Sequence, residues 1–173
     1  MSKTIIAPNY INSIDGPVIF LAGPIQGAAD WQTDAIQIIN KHAPDLYVAS
    51  PRQTIKSLSD FTKEMYNTQV DWETYHLREA GKNGVVLFWL AKEFEHRCNR
   101  AYAQTTRFEL AEWKLRHERD RSNLSLVSMK GLLAINTLSD VSHKTAQMFQ
   151  STELSKIPVW VPSRYCDQQM FHE

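Results

Sequence analysis

The sequence predicts an α/β fold in which helices cover both faces of one mostly parallel sheet. Two continuous apolar runs, at residues 17–23 and 84–90, are typical of strands that are buried on both faces. Helical patterns alternate with such runs, and this alternation produces parallel strands joined by right-handed crossovers. We therefore expect a doubly wound, three-layer sandwich of about five strands, with residues 1–173 forming a single domain.

The predicted elements follow in a regular order along the chain. Asp30 is a suitable N-cap for the first helix, and Gly81 is expected to end the second. This order is typical of a flavodoxin-like sheet. Strands are predicted at 17–23, 47–50, 84–90, 124–128 and 157–161, and helices are predicted after Asp30 and at 63–80, 105–120 and 140–149.

The carboxyl ends of the predicted strands are where a ligand is expected. In open α/β sheets, ligands bind in the crevice beyond these ends. The segments that follow the strands here are 23–27, 50–52 and the residues after Leu90, and Glu109 lies in the helix after the last of them. All the candidate chemistry therefore converges on one edge of the sheet.

Glu109 is the first candidate for a reactive group. Phe108, Ala111 and Leu115 have the spacing of a core-facing stripe, which would place Glu109 on the flank of that stripe. A carboxylate shielded from water interacts more strongly with a developing positive charge, so it can act as a nucleophile or base. A glutamate near a helix start is more often there for the helix dipole, so Glu109 alone decides nothing.

Two other segments have both a functional and a structural interpretation. The turn 23–27 could bind a phosphate through backbone N–H groups or approach a sugar or base closely, but glycines also simply allow tight turns. On the second helix, Gln69 and Glu73 share a face and could read the hydrogen-bonding edge of a base. They fit equally well as the polar face of a surface helix with one buried tryptophan.

Composition excludes several classes of function. The chain has 19 Lys and Arg against 19 Asp and Glu, so it has no electrostatic footprint for nucleic acid or an anionic membrane. Residues 1–16 contain no long apolar run, which predicts a soluble, cytoplasmic protein without a signal peptide. Cys98 and Cys166 are far apart and are interpreted as reduced thiols in a reducing cytosol. Segment 96–98 has no matching second pair of ligands, so no metal site is expected.

Six segments together resemble the nucleoside 2-deoxyribosyltransferase family, in particular its divergent second branch. The resemblance covers roughly residues 18–113 and depends on the order and spacing of the segments. It implies a flavodoxin-like fold, exchange of the base of 2′-deoxynucleosides, and Glu109 as the nucleophile. The matching segments are 20–24, 30–32, 50–52, 69–73, 88–89 and 105–113.

The same resemblance implies the substrates and the binding residues. The substrates would be 2′-deoxynucleosides and free nucleobases, with no cofactor and no metal. The family often builds its site between subunits, which implies a homo-oligomer with the site near a subunit interface and makes Asn136 a candidate donated by a neighbour. The implied substrate-binding residues are Phe20, Gly23, Pro24, Trp31, Gln69, Asn83 and Asn136.

The chain departs from the better-known branch of the family at two positions. That branch carries an aspartate six residues before the nucleophile, where this chain has Ala103, and another at the start of the central strand, where this chain has Asn83. The general acid that protonates the leaving base therefore has to be another residue. Asp71 and Glu73 are the nearest titratable candidates.

Two alternatives to the transferase stay open from the sequence. A hydrolase of deoxynucleosides or their 5′-phosphates could use the same scaffold, although more Ser and Gly donors would be expected around a phosphate than the turn 23–27 offers. A non-catalytic nucleotide-binding sensor is the second alternative, and retention of Glu109 within its whole local motif argues against it.

Overall fold

The computed structural model describes residues 3–11, 13–53, 62–96, 98, 101–122, 124–128 and 131–133. Within these ranges the chain forms one mixed sheet in the order β1-β3-β2-β4-β5-β6. The strands are β1 (Thr4–Ile6), β2 (Val18–Ala22), β3 (Tyr47–Ser50), β4 (Gly84–Trp89), β5 (Leu124–Ser128) and β6 (Gly131–Leu133), and the helices are α1 (Trp31–His42), α2 (Lys63–Asn83) and α3 (Gln104–Asp120).

The sheet is mostly parallel and doubly wound, which confirms the predicted fold class. Every strand pair from β1 to β5 is parallel, and only β6 pairs antiparallel, with β5. The chain crosses from one side of β2 to the other when it passes from β3 to β4, so the topological switch point lies between β2 and β4. The predicted elements at 140–149 and 157–161 lie outside the described residues, and the short edge strands β1 and β6 were not predicted.

Helices cover the two faces of the sheet unequally. On one face α1 packs through Trp31, Ala35 and Ile39 against side chains of β2, β3 and β4. On the other face α2 and α3 pack side by side, through Trp72 and Trp113 among others. Because β2 and β4 are buried along their whole length, their continuous apolar sequences are accounted for. None of the three described helices is long and apolar enough to cross a membrane.

The end of α2 differs from the prediction. Gly81 does not end the helix, which continues to Asn83 and is followed directly by β4. A Cβ at position 81 would lie 2.5 Å from the ring of Trp113. Gly81 is therefore required for the close approach of α3 to α2 and not for a helix cap.

The orientation of α3 also differs from the prediction. Phe108 and Leu115 are 69% and 60% exposed, so the stripe expected to face the core faces outward. The buried face instead carries Thr106, Trp113 and His117. Glu109 is three residues after Thr106 and four before Trp113, so it lies on the buried face itself.

Candidate active site

Two glutamates interact electrostatically on the α2–α3 face of the sheet, near its carboxyl edge. Glu109 lies in the second turn of α3, and Glu73 lies midway along α2. Gln69, one turn before Glu73, donates to the carbonyl of Pro51 directly after β3, so this part of α2 lies at the carboxyl edge, where α3 begins. Both side chains are half-buried, and Glu109 feels the charge of Glu73. We call these two residues the carboxylate pair.

The pKa values of the carboxylate pair are displaced upward. Burial, followed by the charges of Glu73 and Glu112, raises the pKa of Glu109 to about 7. Burial also raises the pKa of Glu73, but the hydrogen bond from Gln69 opposes that increase. Glu73 therefore ionises first, while Glu109 is still neutral, and its charge then hinders the ionisation of Glu109. Near pH 7, Glu109 therefore exists in both its neutral and its ionised form.

No positive side chain compensates the pair within the described ranges. The ion pairs of the described lysines and arginines involve other carboxylates, such as Glu112 with Arg116 and Glu118 with Lys114. A half-buried negative charge without a cation is costly for a protein unless a ligand supplies the compensating charge. Such a site is suited to stabilise a positively charged reacting centre.

The amide of Gln69 holds Glu73 in place. Its Nε2 atom donates to the carbonyl of Pro51 at 3.0 Å and to Oε1 of Glu73 at 2.5 Å. Its Oε1 atom accepts from Nε2 of Gln53. Both N–H groups of Gln69 are therefore engaged by the protein, although the sequence analysis assigned this residue to the substrate.

A buried tryptophan fixes the middle of α2. Trp72 is fully buried, packs against Phe20 with 6.1 Å between ring centroids, and donates from Nε1 to the carbonyl of Asn9 at 2.7 Å. Because Trp72 is adjacent to Glu73, these contacts hold the glutamate at a defined height above the sheet. Phe20 thus lies in the core beneath the site.

Arg52 organises the other side of the same edge. Its guanidinium donates from Nε to Gln32 at 2.9 Å and pairs with Asp30 at 3.1 Å. Its Nη2 atom also donates to the carbonyls of Ile25 and Ala29, each at 3.3 Å. These bonds tie the segment between β2 and α1 to the end of β3, and we call this group the arginine cluster.

The turn 23–27 lies at the switch point between β2 and β4. A Cβ at Gly23 would lie 2.4 Å from the carbonyl oxygen of Trp89, so only glycine fits there. Trp31 donates from Nε1 to the carbonyl of Pro24 at 3.0 Å and stacks on Trp89 with 6.2 Å between ring centroids. Trp31 is buried on the α1 face, so the sheet separates its ring from Glu109.

Two further predicted site residues, Asp71 and Asn83, are not brought to the carboxylate pair. Asp71 is exposed on α2, where its charge contributes to a raised pKa of Tyr10. Asn83 immediately precedes the first residue of β4, so it lies at the amino edge of the sheet, opposite to Glu109, and donates to Glu79 at 3.4 Å. Asn136 lies outside the described residues.

Arg52 and Gln53 also lie at this edge, although neither was predicted as a site residue. The two residues follow Pro51 at the end of β3, and Arg52 belongs to the matching segment 50–52. The two side chains diverge, since Arg52 contacts α1 and Gln53 contacts Gln69 of α2. Adjacent residues of an extended segment point to opposite sides, so one short segment serves both faces.

The described residues contain one cysteine and no candidate metal site. No group of three or more His, Cys, Asp or Glu side chains there could hold a metal ion. The interpretation of Cys98 as a reduced thiol is wrong, because Cys98 is disulfide-bonded. The argument for a reducing compartment that rested on this thiol no longer stands.

Similarity to known proteins agrees with the resemblance inferred from the residues. The family described as nucleoside 2-deoxyribosyltransferase like matches residues 16–120, which is more than half of the 173 residues. No curated protein matches the chain. The matched range extends from the residues before β2 to the end of α3 and includes the carboxylate pair, Gln69 and the arginine cluster. The chain belongs to the nucleoside 2-deoxyribosyltransferase-like family.

Proposed function

We propose that this protein exchanges the nucleobase of 2′-deoxynucleosides through a covalent deoxyribosyl intermediate on Glu109. The observation that carries the proposal is the half-buried carboxylate pair at the carboxyl edge of the sheet, without a compensating cation in the described residues. Its substrates are a 2′-deoxynucleoside and a free nucleobase, and the reaction needs no cofactor.

The first half-reaction forms the covalent intermediate. A carboxylate oxygen of Glu109 bonds to the anomeric carbon of deoxyribose while the bond from that carbon to the base nitrogen breaks. The leaving base keeps the electron pair and takes the proton that Glu109 gives up, relayed through Glu73, so that Glu109 attacks as a carboxylate. The transition state resembles an oxocarbenium ion, and a water-poor site with two carboxyl groups stabilises its positive charge.

The second half-reaction reverses these events with a different base. The incoming base attacks the anomeric carbon, loses its proton to Glu73 and expels the Glu109 carboxylate. Two displacements on the same carbon restore the β configuration. One base takes up a proton and the other gives one up, so two carboxyl groups with raised pKa values suit the whole cycle.

Glu73 is preferred to Asp71 as the acid and base. Glu73 has a raised pKa caused by burial and adjoins Glu109, whereas Asp71 is exposed beside Tyr10. A carboxyl group with a raised pKa holds its proton nearer to neutral pH, which is the condition for donating it to a leaving base.

Assembly and location enter the proposal as predictions. We propose a cytoplasmic homo-oligomer in which Asn136 of a neighbouring copy completes the site. Sedimentation of the purified protein tests the oligomer, and an Asn136→Ala variant with unchanged assembly but weaker nucleoside binding would support the contribution of Asn136.

Chromatography of reaction mixtures tests the proposed activity. Purified protein is incubated with deoxyinosine and adenine, with and without the acceptor base, alongside Glu109→Ala. The matched control is Glu118→Gln, which changes an exposed glutamate of the same helix. Deoxyadenosine formed by the unmutated protein and the control, but not by Glu109→Ala, supports the proposal.

Other outcomes of this experiment distinguish the alternatives. Free hypoxanthine without deoxyadenosine identifies a hydrolase. A shift of the melting temperature with nucleosides, without turnover of any donor and acceptor tried, identifies a binding protein. Equal transfer by Glu109→Ala would reject Glu109 as the nucleophile.

A further inference from the structure

Hydrogen bonds hold the side-chain amide of Gln69 in one orientation. This orientation determines whether Gln69 favours the ionised or the protonated form of Glu73. The carbonyl of Pro51 can only accept a hydrogen bond, so the nitrogen of the Gln69 amide has to face it. The second N–H of that nitrogen then points at Oε1 of Glu73. Gln53 completes the arrangement by donating to the Gln69 oxygen.

Oε1 of Glu73 accepts a hydrogen bond from Gln69, so it cannot at the same time carry an acid proton that points at Gln69. If the Gln69 amide turned so that it could accept a proton from Glu73, the contacts of its nitrogen would be made by its oxygen instead. The oxygens of Gln69 and Pro51 would then face each other without a hydrogen bond. The network therefore stabilises Glu73 as a carboxylate and leaves its other oxygen, Oε2, for a reacting partner. This agrees with the lowering effect of Gln69 on the pKa of Glu73.

The preference of Gln69 for ionised Glu73 is important in the covalent intermediate. Once Glu109 carries deoxyribose as an ester, it has no charge, and Glu73 is the remaining ionisable group of the pair. The next event needs a base that removes the proton from the incoming nucleobase. A Glu73 already ionised, and held by Gln69, meets that requirement.

We propose that Gln69, held by the Pro51 carbonyl and Gln53, is a positioning residue for the acceptor half-reaction, in which it keeps Glu73 ready to take a proton from the incoming nucleobase. This inference rests on the proposed function. In the step itself, the N–H bond of the acceptor base breaks toward Oε2 of Glu73. The base nitrogen bonds to the anomeric carbon, and the ester bond breaks with its electron pair returning to Glu109.

The groups around Glu73 determine the expected pH dependence. Among the described residues of α3 these are Glu109, which is uncharged in the intermediate, and Glu112, whose charge acts on Glu109. From α2 and the end of β3 they are Gln69, Gln53 and the Pro51 carbonyl. Without the Gln69 donor, the pKa of Glu73 rises further, so the acceptor step loses rate at a higher pH than in the unmutated protein.

Separate measurement of the two half-reactions tests this inference. Rapid-quench mixing with deoxyinosine alone reports the burst of hypoxanthine, and later addition of adenine reports deoxyadenosine formation. Gln69→Leu removes the donors at similar size. We expect about a tenfold or larger loss in the acceptor step, as for one hydrogen bond to a charged group, with a smaller change in the burst. Gln53→Leu should produce a weaker loss of the same kind.

A matched control and a pH profile separate positioning from a structural role. Gln37→Leu makes the same change at an exposed position of α1 and should leave both half-reactions unchanged. The acid limb of the acceptor step should move to higher pH in Gln69→Leu only. Equal slowing of both half-reactions, or an unshifted acid limb, would overturn the inference while leaving the transferase intact. Absence of transfer by the unmutated protein would instead reject the proposed function.

Discussion

The arginine cluster and the carboxylate pair lie at the same edge of one sheet, but they differ in how far their charges are compensated by neighbouring groups. Arg52 is surrounded by oxygens of Gln32, Asp30 and two backbone carbonyls. The carboxylate pair has one amide donor and no cation among the described residues, and both pKa values are raised. A charge whose partners are complete stabilises the fold, whereas an uncompensated charge remains available for chemistry.

Replacing Glu73 should produce the largest effect, and it tests whether the carboxylate pair takes part in the proposed reaction. Glu73→Gln keeps the size and the acceptor for Gln69 but removes the acid and base. Transfer is expected to fall about a hundredfold or more, the typical contribution of such a group. The pKa of Glu109 should also fall, because one of the neighbouring charges disappears.

Steady-state transfer assays over a pH range measure both effects of Glu73→Gln. The control is Glu79→Gln, which lies on the same helix nearer the amino edge of the sheet. Unchanged transfer in Glu73→Gln would mean that the carboxylate pair does not act as a unit.

The pH dependence of stability tests whether the pair is uncompensated in the folded protein. The pKa of Glu109 is about 7 in the folded protein against an ordinary value of 4.5, so the folded state binds the proton more tightly. The resulting stabilisation is complete below about pH 4.5 and is lost as the pH rises through 7. Relative to Glu109→Gln, the unmutated protein should lose on the order of 2 kcal/mol of unfolding free energy between about pH 5 and pH 8.

Chemical denaturation of the unmutated protein and of Glu109→Gln at both pH values gives that difference. Glu118→Gln serves as the control, since its carboxylate is exposed and paired with Lys114. Parallel pH profiles for the unmutated protein and Glu109→Gln would show that Glu109 titrates normally.

Replacing Arg52 tests whether the arginine cluster stabilises the fold. Arg52→Met removes the guanidinium and leaves the buried Gln32 oxygen and two carbonyls without their donor. We expect a loss of about 2 kcal/mol of unfolding free energy, similar at both pH values because no titration is involved. Arg78→Met, at an exposed position of α2, should change stability far less. An equal loss at Arg78 would remove the distinction.

The spacing of α2 and α3 gives the smallest expected effect. Gly81→Ala places a Cβ 2.5 Å from the Trp113 ring, one helical turn after Glu109, so the two helices have to separate. The expected loss is about 1 kcal/mol, because the clash outweighs the better helix propensity of alanine. Gly16→Ala, whose Cβ would meet Tyr47 at 3.6 Å, is the control for thermal unfolding. Increased stability of Gly81→Ala would contradict the close contact.

Patterns that depend on local chemistry were correctly predicted from the sequence. The apolar runs that became β2 and β4 are buried on both faces, and Asp30 accepts from the backbone N–H of Thr33 as a helix cap. The position of Glu109 on α3 and the alternation of strands and helices also follow from the residues alone. Such features are readable because strand burial and helix capping depend on neighbours within a few residues.

The sequence pattern failed where distant segments decide the outcome. Phe108 and Leu115 have the period of a buried stripe, but α3 is rotated so that Trp113 packs against Gly81. The sequence predicts that Gln69 binds the substrate, but the N–H groups of its amide donate to the Pro51 carbonyl and to Glu73.

The sequence by itself determined the fold class, the edge of the sheet where the candidate site lies, and Glu109 as its candidate nucleophile. Only the tertiary structure brought Glu73 beside Glu109, placed Asn83 at the opposite edge, and turned Arg52 and Gln53 to different faces. The physical reason is that a shifted pKa and a completed hydrogen-bond network depend on burial and on partners many residues away. Neither quantity is encoded in the periodicity of a single helix or strand.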